Sequence, residues 1–497
     1  MHNALDEGRT MLSKWPLLIS LALIASQAQA QVPDQRPDSI SPLTTLAGHL
    51  IADGKSYDYD RQLADGIGPR LTGSANYVKA ADWATANFTR LGLVNVHREP
   101  FLMPTVWEPE SAVTAHITAP REQTLHMVSE GWSPSTPLGG VQANVFYLPA
   151  LNPAQVKHDA AKIRGSVVLI DWQSVGDELI FGDITDAIHL LSAEGAQGIL
   201  FGMGRINNSQ EMIGNGLLTA KAEPIPAGSL GLEDTLLLKR MLKDGPVRVQ
   251  FQFSNRLREN VKVDNVVAEI PGTDADGEYV LLGAHLDSWH LGTGAEDNGT
   301  GVATLLGIAQ AIQASGLKPR RTMRFVLFGG EEQLLIGSRA YAREHASELD
   351  KCVGVFITDT GSEPPVGWYT FGRKDEDEAL IQQTPVLAEL GAESVSTGAP
   401  YIFRTDEAPF VVRGVPSFVL WTGMSEYDKF YHSYGDTFDK VNQRDLNLGA
   451  SVVGLTAFAF ANSPQRLPHF SESQVQQQLE TITAGKQYRD LKSHNFF

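Results

Sequence analysis

Between Thr44 and Leu93 the apolar positions recur at helical spacing, with Leu46, Leu50, Leu63 and Ile67 ahead of Pro69 and Ala80, Ala81, Trp83, Ala84 and Phe88 after it. Two helices account for this stretch. From Val113 to about Phe253 the texture changes to short β-rich runs, such as Val145-Phe146-Tyr147-Leu148 and the stretch 165–170, interleaved with a helix-like piece at 184–195. The segment reads as an inserted module. From Asn265 onward the pattern is strand, loop, helix, strand, and residues 279–282, 324–328, 353–357 and 417–421 are continuous apolar runs. Strands of that kind are buried on both faces, which predicts an α/β sheet covered by helices. Beyond Pro464 the chain is polar and Gln-rich and predicts a peripheral helix, and there is no internal repeat or low-complexity tract.

Composition narrows the class. The chain has 497 residues, 42% hydrophobic and 20% charged, enough for ordinary packed cores. Domains of roughly 150 residues predict two to four of them. A formal net charge of −18 repels phosphate backbones and argues against nucleic acid as a partner. Cys352 is the single cysteine, so neither an intramolecular disulfide nor a cysteine-ligated zinc can form, and any metal must use histidine and carboxylate.

The amino terminus adds a compartment. Arg9 and Lys14 precede an apolar run at 17–25 and then Ala28-Gln29-Ala30, the layout of a secretory signal over residues 1–30. Export to a secreted or periplasmic location is expected, with no membrane anchor after cleavage, because the run is shorter than the ~20 residues needed to span a bilayer. Asp6 and Glu7 are unusual ahead of such a signal and leave Met11 as an alternative start.

The candidate chemistry sits where those apolar strands end. The first leads into Gly283-Ala284-His285-Leu286-Asp287-Ser288, the second into Gly329-Gly330-Glu331-Glu332, the third into Asp359-Thr360-Gly361-Ser362, and the fourth toward Tyr431-His432-Ser433-Tyr434-Gly435-Asp436. Between the first two, Gly294-Ala295-Glu296-Asp297-Asn298-Gly299 opens a helix over about 301–314. In open α/β sheets ligands bind beyond the carboxyl ends of the strands. His285, Asp297, Glu332, Asp359 and His432 therefore converge on one edge, with imidazole and carboxylate donors that suit zinc.

Five side chains exceed what one tetrahedral catalytic zinc with a water can use, and they suit two Zn²⁺ sharing Asp297 as a bridge. Asp287, two residues from His285 at a strand end, is placed to orient the imidazole, and Glu331, beside Glu332, is free to act as general base. The glycines at 292–301 do not complete a dinucleotide finger, and Asp297 would face the pyrophosphate. Other histidines, such as His116, His126, His158, His189 and His345, lack this clustering and read as structural or exposed.

The ordered set H-L-D-S, A-E-D-N-G-T-G, F-G-G-E-E-Q-x-L-x-G-S, D-T-G and Y-H-S-Y-G-D-T resembles the co-catalytic zinc exopeptidases of clan MH, the group of the bacterial leucyl aminopeptidases and plasma glutamate carboxypeptidases (carboxypeptidase Q). The resemblance spans residues 46–461. It implies a three-layer zinc-exopeptidase fold, a mixed central sheet between helices, in which His285, Asp297 and Asp359 hold one zinc and Asp297, Glu332 and His432 the other. It also implies a cis peptide at Asp297-Asn298, Glu331 as general base and Asp287 as the partner of His285.

The insert resembles a protease-associated domain, through residues 163–170 and 193–200. The resulting division is a signal at 1–30, a first peptidase segment at 31–110, the β-rich insert at 111–260, the second peptidase segment with the metal site at 261–464, and a tail at 465–497. The implied reaction is hydrolysis at peptide ends, as aminopeptidase, dipeptidase or carboxypeptidase, with peptides as partners and a homodimer suggested by the relatives alone. Arg373 and Arg404 are candidates to receive an acidic or carboxylate-bearing substrate, and Asp406, within a segment resembling the clan's pocket loop, to position it. Two rival readings are a single-zinc glutaminyl cyclase and a non-catalytic receptor; the presence of His285 and Asp359 together disfavours the first, and the complete ligand set with Glu331 the second.

Overall fold

A computed structural model describes residues 41–497 apart from 176–187, 203, 206, 208, 211–220, 384, 397–403, 483, 486, 487, 490, 491 and 493–497. The expected signal at 1–30 and the first part of the helix-like piece at 184–195 lie outside the described residues. Among those described, no helix is long and apolar enough to cross a membrane.

In chain order the strands are β1 (Val94–Pro109), β2 (Thr114–Ala119), β3 (Gln123–Thr124), β4 (Met127–Ser129), β5 (Val141–Tyr147), β6 (Val167–Asp171), β7 (Gly198–Gly202), β8 (Ala227–Leu230) and β9 (Arg248–Gln252). They continue as β10 (Asn255–Ile270), β11 (Tyr279–His285), β12 (Thr322–Phe328), β13 (Cys352–Ile357), β14 (Pro365–Tyr369), β15 (Ser394–Ser396) and β16 (Ser417–Thr422). The larger sheet has the order β1-β10-β12-β11-β13-β16-β14-β15, and its centre, β12-β11-β13-β16, is parallel. Those four are the apolar runs read from the sequence, and all seven residues of β11 and all six of β13 are buried.

Alternation sends successive residues to opposite layers. Val280, Leu282 and Ala284 pack with Leu46, Leu63, Ala80, Val302 and Val453 from the helices Pro42–Ile51, Ser56–Ala64, Ala75–Arg90, Thr300–Ser315 and Gln443–Asn462. Tyr279 and Leu281 face the other way, toward Tyr341, Phe410, Val475 and Leu479 of Ile336–Glu344, Ala408–Val411 and Glu472–Thr481. The result is a helix-sheet-helix sandwich.

Two sequence expectations change. The first helical stretch, read as two helices, forms three, because the chain turns at Gly54, where an added Cβ would lie 2.2 Å from the Leu50 carbonyl oxygen and 2.8 Å from the Asn447 side chain. The tail helix Glu472–Thr481 is not merely peripheral: Val475 and Leu479 are fully buried in the second core. Cys352 is a small buried residue, as read.

Residues between β1 and β10 leave and re-enter the sheet at one point, where Pro109 pairs with Asn255 on the long antiparallel ribbon. They build a second sheet, β3-β2-β9-β5-β6-β7-β8-β4, whose strand β6 sends Val167 and Leu169 to one core with Leu238, and Val168 and Ile170 to another with Val156 and Ile163.

Candidate metal centre

Because β11, β12, β13 and β16 are parallel, the loops after them open on one edge. His285 ends β11, Glu331 and Glu332 follow β12, Asp359 follows β13, and His432 lies in the loop beyond β16. Asp297 comes from the turn Ala295–Gly299, whose Asp297-Asn298 peptide is cis. Asn298 locks this turn to the helix it opens: its Oδ1 accepts the Gly301 amide at 2.9 Å, and its Nδ2 donates to the Thr358 carbonyl at 2.8 Å.

All five expected ligands meet here. His285 Nε2 lies 3.1 Å from Asp297 Oδ1 and 3.1 Å from Asp359 Oδ1. His432 Nε2 lies 2.9 Å from Glu332 Oε2 and 3.3 Å from Asp297 Oδ2. Asp297 thus turns one oxygen toward each imidazole. His285, Asp297 and Glu332 form one group of candidate ligand atoms within 4.8 Å of each other, and His285, Glu331 and Asp359 a second.

The orientation of His285 follows from what it touches. Its Nδ1 is 3.2 Å from the Asp287 carbonyl, which can only accept, so Nδ1 donates there and Nε2 is the nitrogen turned to the cluster. The Asp287 carboxylate, expected to make this contact, is farther, at 3.6 Å, and accepts the Glu331 amide at 3.4 Å. His432 is held by its rings: it stacks on Tyr431 at 3.6 Å and meets Trp289 edge-on at 5.9 Å. The Trp289 amide donates to Glu332 Oε1 at 3.1 Å.

Burial and like charge set the electrostatics. Burial, with the Asp359, Asp406 and Glu332 charges, pushes the Glu331 carboxyl well above its usual range, and burial with the Asp297 charge pushes Glu332 up to about 7. Against the cost of burial, hydrogen bonds from His285 and His432 hold Asp297 below the usual carboxylate range. Burial disfavours charge on His432, but Glu332 and Asp297 outweigh it and raise the imidazole to about 10. Asp297, Glu331, Glu332 and Asp359 thus crowd negative charge around two imidazoles, an excess that divalent cations neutralise. The donor set fits zinc.

Supports that sequence reasoning missed hold the cluster from behind. The buried Arg70 donates to the carbonyls of Leu286, Thr293 and Gly294 at 2.6, 2.9 and 2.8 Å, stapling the loop between two ligands. Asp436 accepts the Glu296 and Asp297 amides at 2.7 and 3.2 Å. Glu296 in turn accepts the Ser362 amide and hydroxyl, both at 2.7 Å. Asp436 and Glu296 lie inside the sequence motifs, which were the available signal; nothing around Arg70 distinguishes it in sequence.

A cavity of about 430 Å³ opens over the cluster, with Asp297, Glu331, Asp359 and His432 among its lining residues. Arg404 also lines it. Arg373 does not: it is buried, paired with Asp375 at 2.7 Å and Glu376 at 3.1 Å, and stacked on Phe470, so its role is structural. Asp406 is fully enclosed and absent from the cavity wall, so it cannot touch a substrate in this arrangement; burial raises its carboxyl to about 7.

Residues 265–456, which include the five expected ligands, Asp287 and Glu331, match Peptidase family M28. This segment is an M28 peptidase domain. The chain is accordingly a hydrolase. Mouse carboxypeptidase Q is 28% identical over 87% of the chain and 91% of its own length. A probable leucine aminopeptidase 2 of Aspergillus oryzae is 24% identical, covering 91% of each protein. Among solved structures, a peptidase M28 precursor from Shewanella amazonensis superposes with a TM-score of 0.77 at 29% identity, covering 86% of this chain and 98% of that one. That structure therefore shares its fold with more of this chain than the matched segment.

Proposed function

We propose that this chain is an exported dizinc exopeptidase hydrolysing peptide bonds at chain ends. The observation that carries the reading is the pair of Asp297 oxygens, one 3.1 Å from His285 and the other 3.3 Å from His432, each imidazole with a second carboxylate of its own. His285, Asp297 and Asp359 would hold one zinc, and Asp297, Glu332 and His432 the other. Bound zinc supplies Lewis acidity and lowers the pKa of a water to about 7.

Glu331 borders the cavity and lies 3.8 Å from His285 Nε2, placed to act on a water there. It takes the water proton as the oxygen attacks the scissile carbonyl carbon. When the C–N bond breaks, Glu331 returns that proton to the leaving nitrogen. Asp287 orients His285, and Arg404 at the cavity wall receives a substrate carboxylate. Export rests on the signal read at residues 1–30.

The test is metal analysis combined with a panel of free, amino-blocked and carboxyl-blocked dipeptides. Two zinc ions per chain and hydrolysis of at least one free-ended peptide are expected. One ion per chain, or full metal with no peptide cleaved, overturns the reading.

A further inference from the structure

The cavity over the metal cluster is not made by the peptidase segment alone. Gly204 and Arg205, which follow β7 of the insert, line it together with Asp297, Glu331, Asp359 and Arg404. Their position is built. The Gly204 amide donates to the Leu230 carbonyl at 3.1 Å, the Arg205 amide to the Ser209 carbonyl at 2.7 Å, and the Arg205 carbonyl accepts the Leu232 amide at 3.2 Å. A Cβ on Gly204 would lie 2.3 Å from the Leu230 oxygen and 2.6 Å from that of Ser209, so the turn packs flush on the start of the helix Leu232–Asp244. Arg205 is half-buried at the wall, held by backbone bonds on both sides.

Size then places Arg205 relative to a substrate. A sphere holding the cavity's volume is about 9 Å across, and an extended chain advances ~3.3–3.6 Å per residue, so the cavity takes two to three residues. A side chain on its wall therefore faces the substrate within about one or two residues of the bond being cut. Tyr369, Val419, Met424 and Tyr427 add aromatic and apolar surface to the wall, beside the polar Thr360 and Thr405 and the acidic Asp428. A guanidinium fork in such surroundings matches a carboxylate in shape and charge.

We infer that Arg205 determines specificity: with Arg404 it binds a carboxylate of the substrate close to the scissile bond, so the insert supplies part of the substrate site. This rests on the peptidase reading above. The carboxylate can be the terminal one or an acidic side chain, and the substrates separate the two.

The experiment compares Ala-Ala, Ala-Ala-amide and Ala-Asp-amide as substrates of the wild type, Arg205→Ala, Arg205→Lys and Arg404→Ala. Calorimetric binding of alanine, alaninamide and aspartic acid α-amide is measured alongside. The wild type is expected to prefer a carboxylate-bearing substrate over Ala-Ala-amide by about 10–100-fold, the scale of a charge-assisted contact, mostly through KM. Preference for Ala-Ala assigns the terminal carboxylate, and preference for Ala-Asp-amide the side chain. In Arg205→Ala the ratio falls toward unity, and Arg205→Lys restores part of it. An unchanged ratio in Arg205→Ala, or no preference in the wild type, overturns the inference. If the wild type cleaves none of the three, the peptidase reading fails, and the binding arm still decides: alanine or aspartic acid α-amide bound over alaninamide, with the difference lost in Arg205→Ala, supports the carboxylate site, and equal binding of all three refutes it.

Discussion

Asp436 holds Asp297 by its backbone: Oδ2 of Asp436 accepts the Asp297 amide at 3.2 Å while Oδ1 accepts the amide of Glu296 at 2.7 Å. A side chain four residues beyond His432 thereby ties the loop of one expected ligand to that of another. Asp436→Asn keeps the volume but turns an amide donor toward one of these N–H groups. Metal affinity is expected to fall about 10–100-fold, the usual cost of losing such a support, with the far-UV spectrum unchanged. Chelator competition measures it, and wild-type affinity would rule the clamp out.

Glu331 and Asp297 separate chemistry from binding. Glu331→Gln is expected to keep its metal and lose about 10²–10⁴ in kcat, the contribution of a positioned general base. Asp297→Ala removes the oxygens shared between the imidazoles and is expected to lose metal. Elemental analysis beside peptide turnover reads both, and an active Glu331→Gln would overturn the base assignment.

Metal removal should also weaken the fold, because ligand binding to the native state alone adds stability, about 4 kcal/mol at a thousand times the dissociation constant. A chelator is expected to lower the melting temperature of the wild type and to leave that of Asp297→Ala nearly unchanged. Equal shifts in the two proteins would place the stabilising metal elsewhere.

Arg70, itself fully buried, satisfies three carbonyls. Arg70→Ala leaves all three unpaired, and each such group costs about 1–3 kcal/mol. A loss on the order of 3–5 kcal/mol in urea unfolding is expected, and a loss below 1 kcal/mol would show that the staple is dispensable.

Glu223 of the insert is buried, neither carboxylate oxygen has a hydrogen-bond partner among the described residues, and burial raises its carboxyl to about 7. A folded-state value above the unfolded one means that the native state holds the proton more tightly. The stability this confers is full below the unfolded value near 4.5 and is lost as pH rises toward 7. Glu223→Gln is therefore expected to be the more stable protein at pH 8, by on the order of 3 kcal/mol, with the difference vanishing near pH 4. Denaturant titrations at the two pH values check it, and a pH-independent difference would refute the account.

Much of the site was legible because strand and site share one cause. Continuous apolar runs identify strands buried on both faces, parallel strands present their carboxyl ends on one edge, and so His285, Glu331, Glu332, Asp359 and His432 could be brought together from the order of residues alone. The helix over 300–315 was legible for the same reason, from its apolar stripe. The turn at Gly54 was not, because it depends on how closely Leu50 and Asn447 approach.

The sequence by itself determined the strands, the zinc-compatible donor types at their ends and the presence of an insert. Only the tertiary structure decided which charges support those donors and which line the cavity. Arg70 reaches its carbonyl partners across 216 to 224 residues, Asp436 reaches its amides across about 140, and Arg205 arrives from another sheet. Arg373 and Asp406, equally plausible in sequence, are enclosed within the protein. The physical reason is that periodic burial repeats along the chain and leaves a pattern, whereas a single long-range hydrogen bond or cavity contact is made once and leaves none.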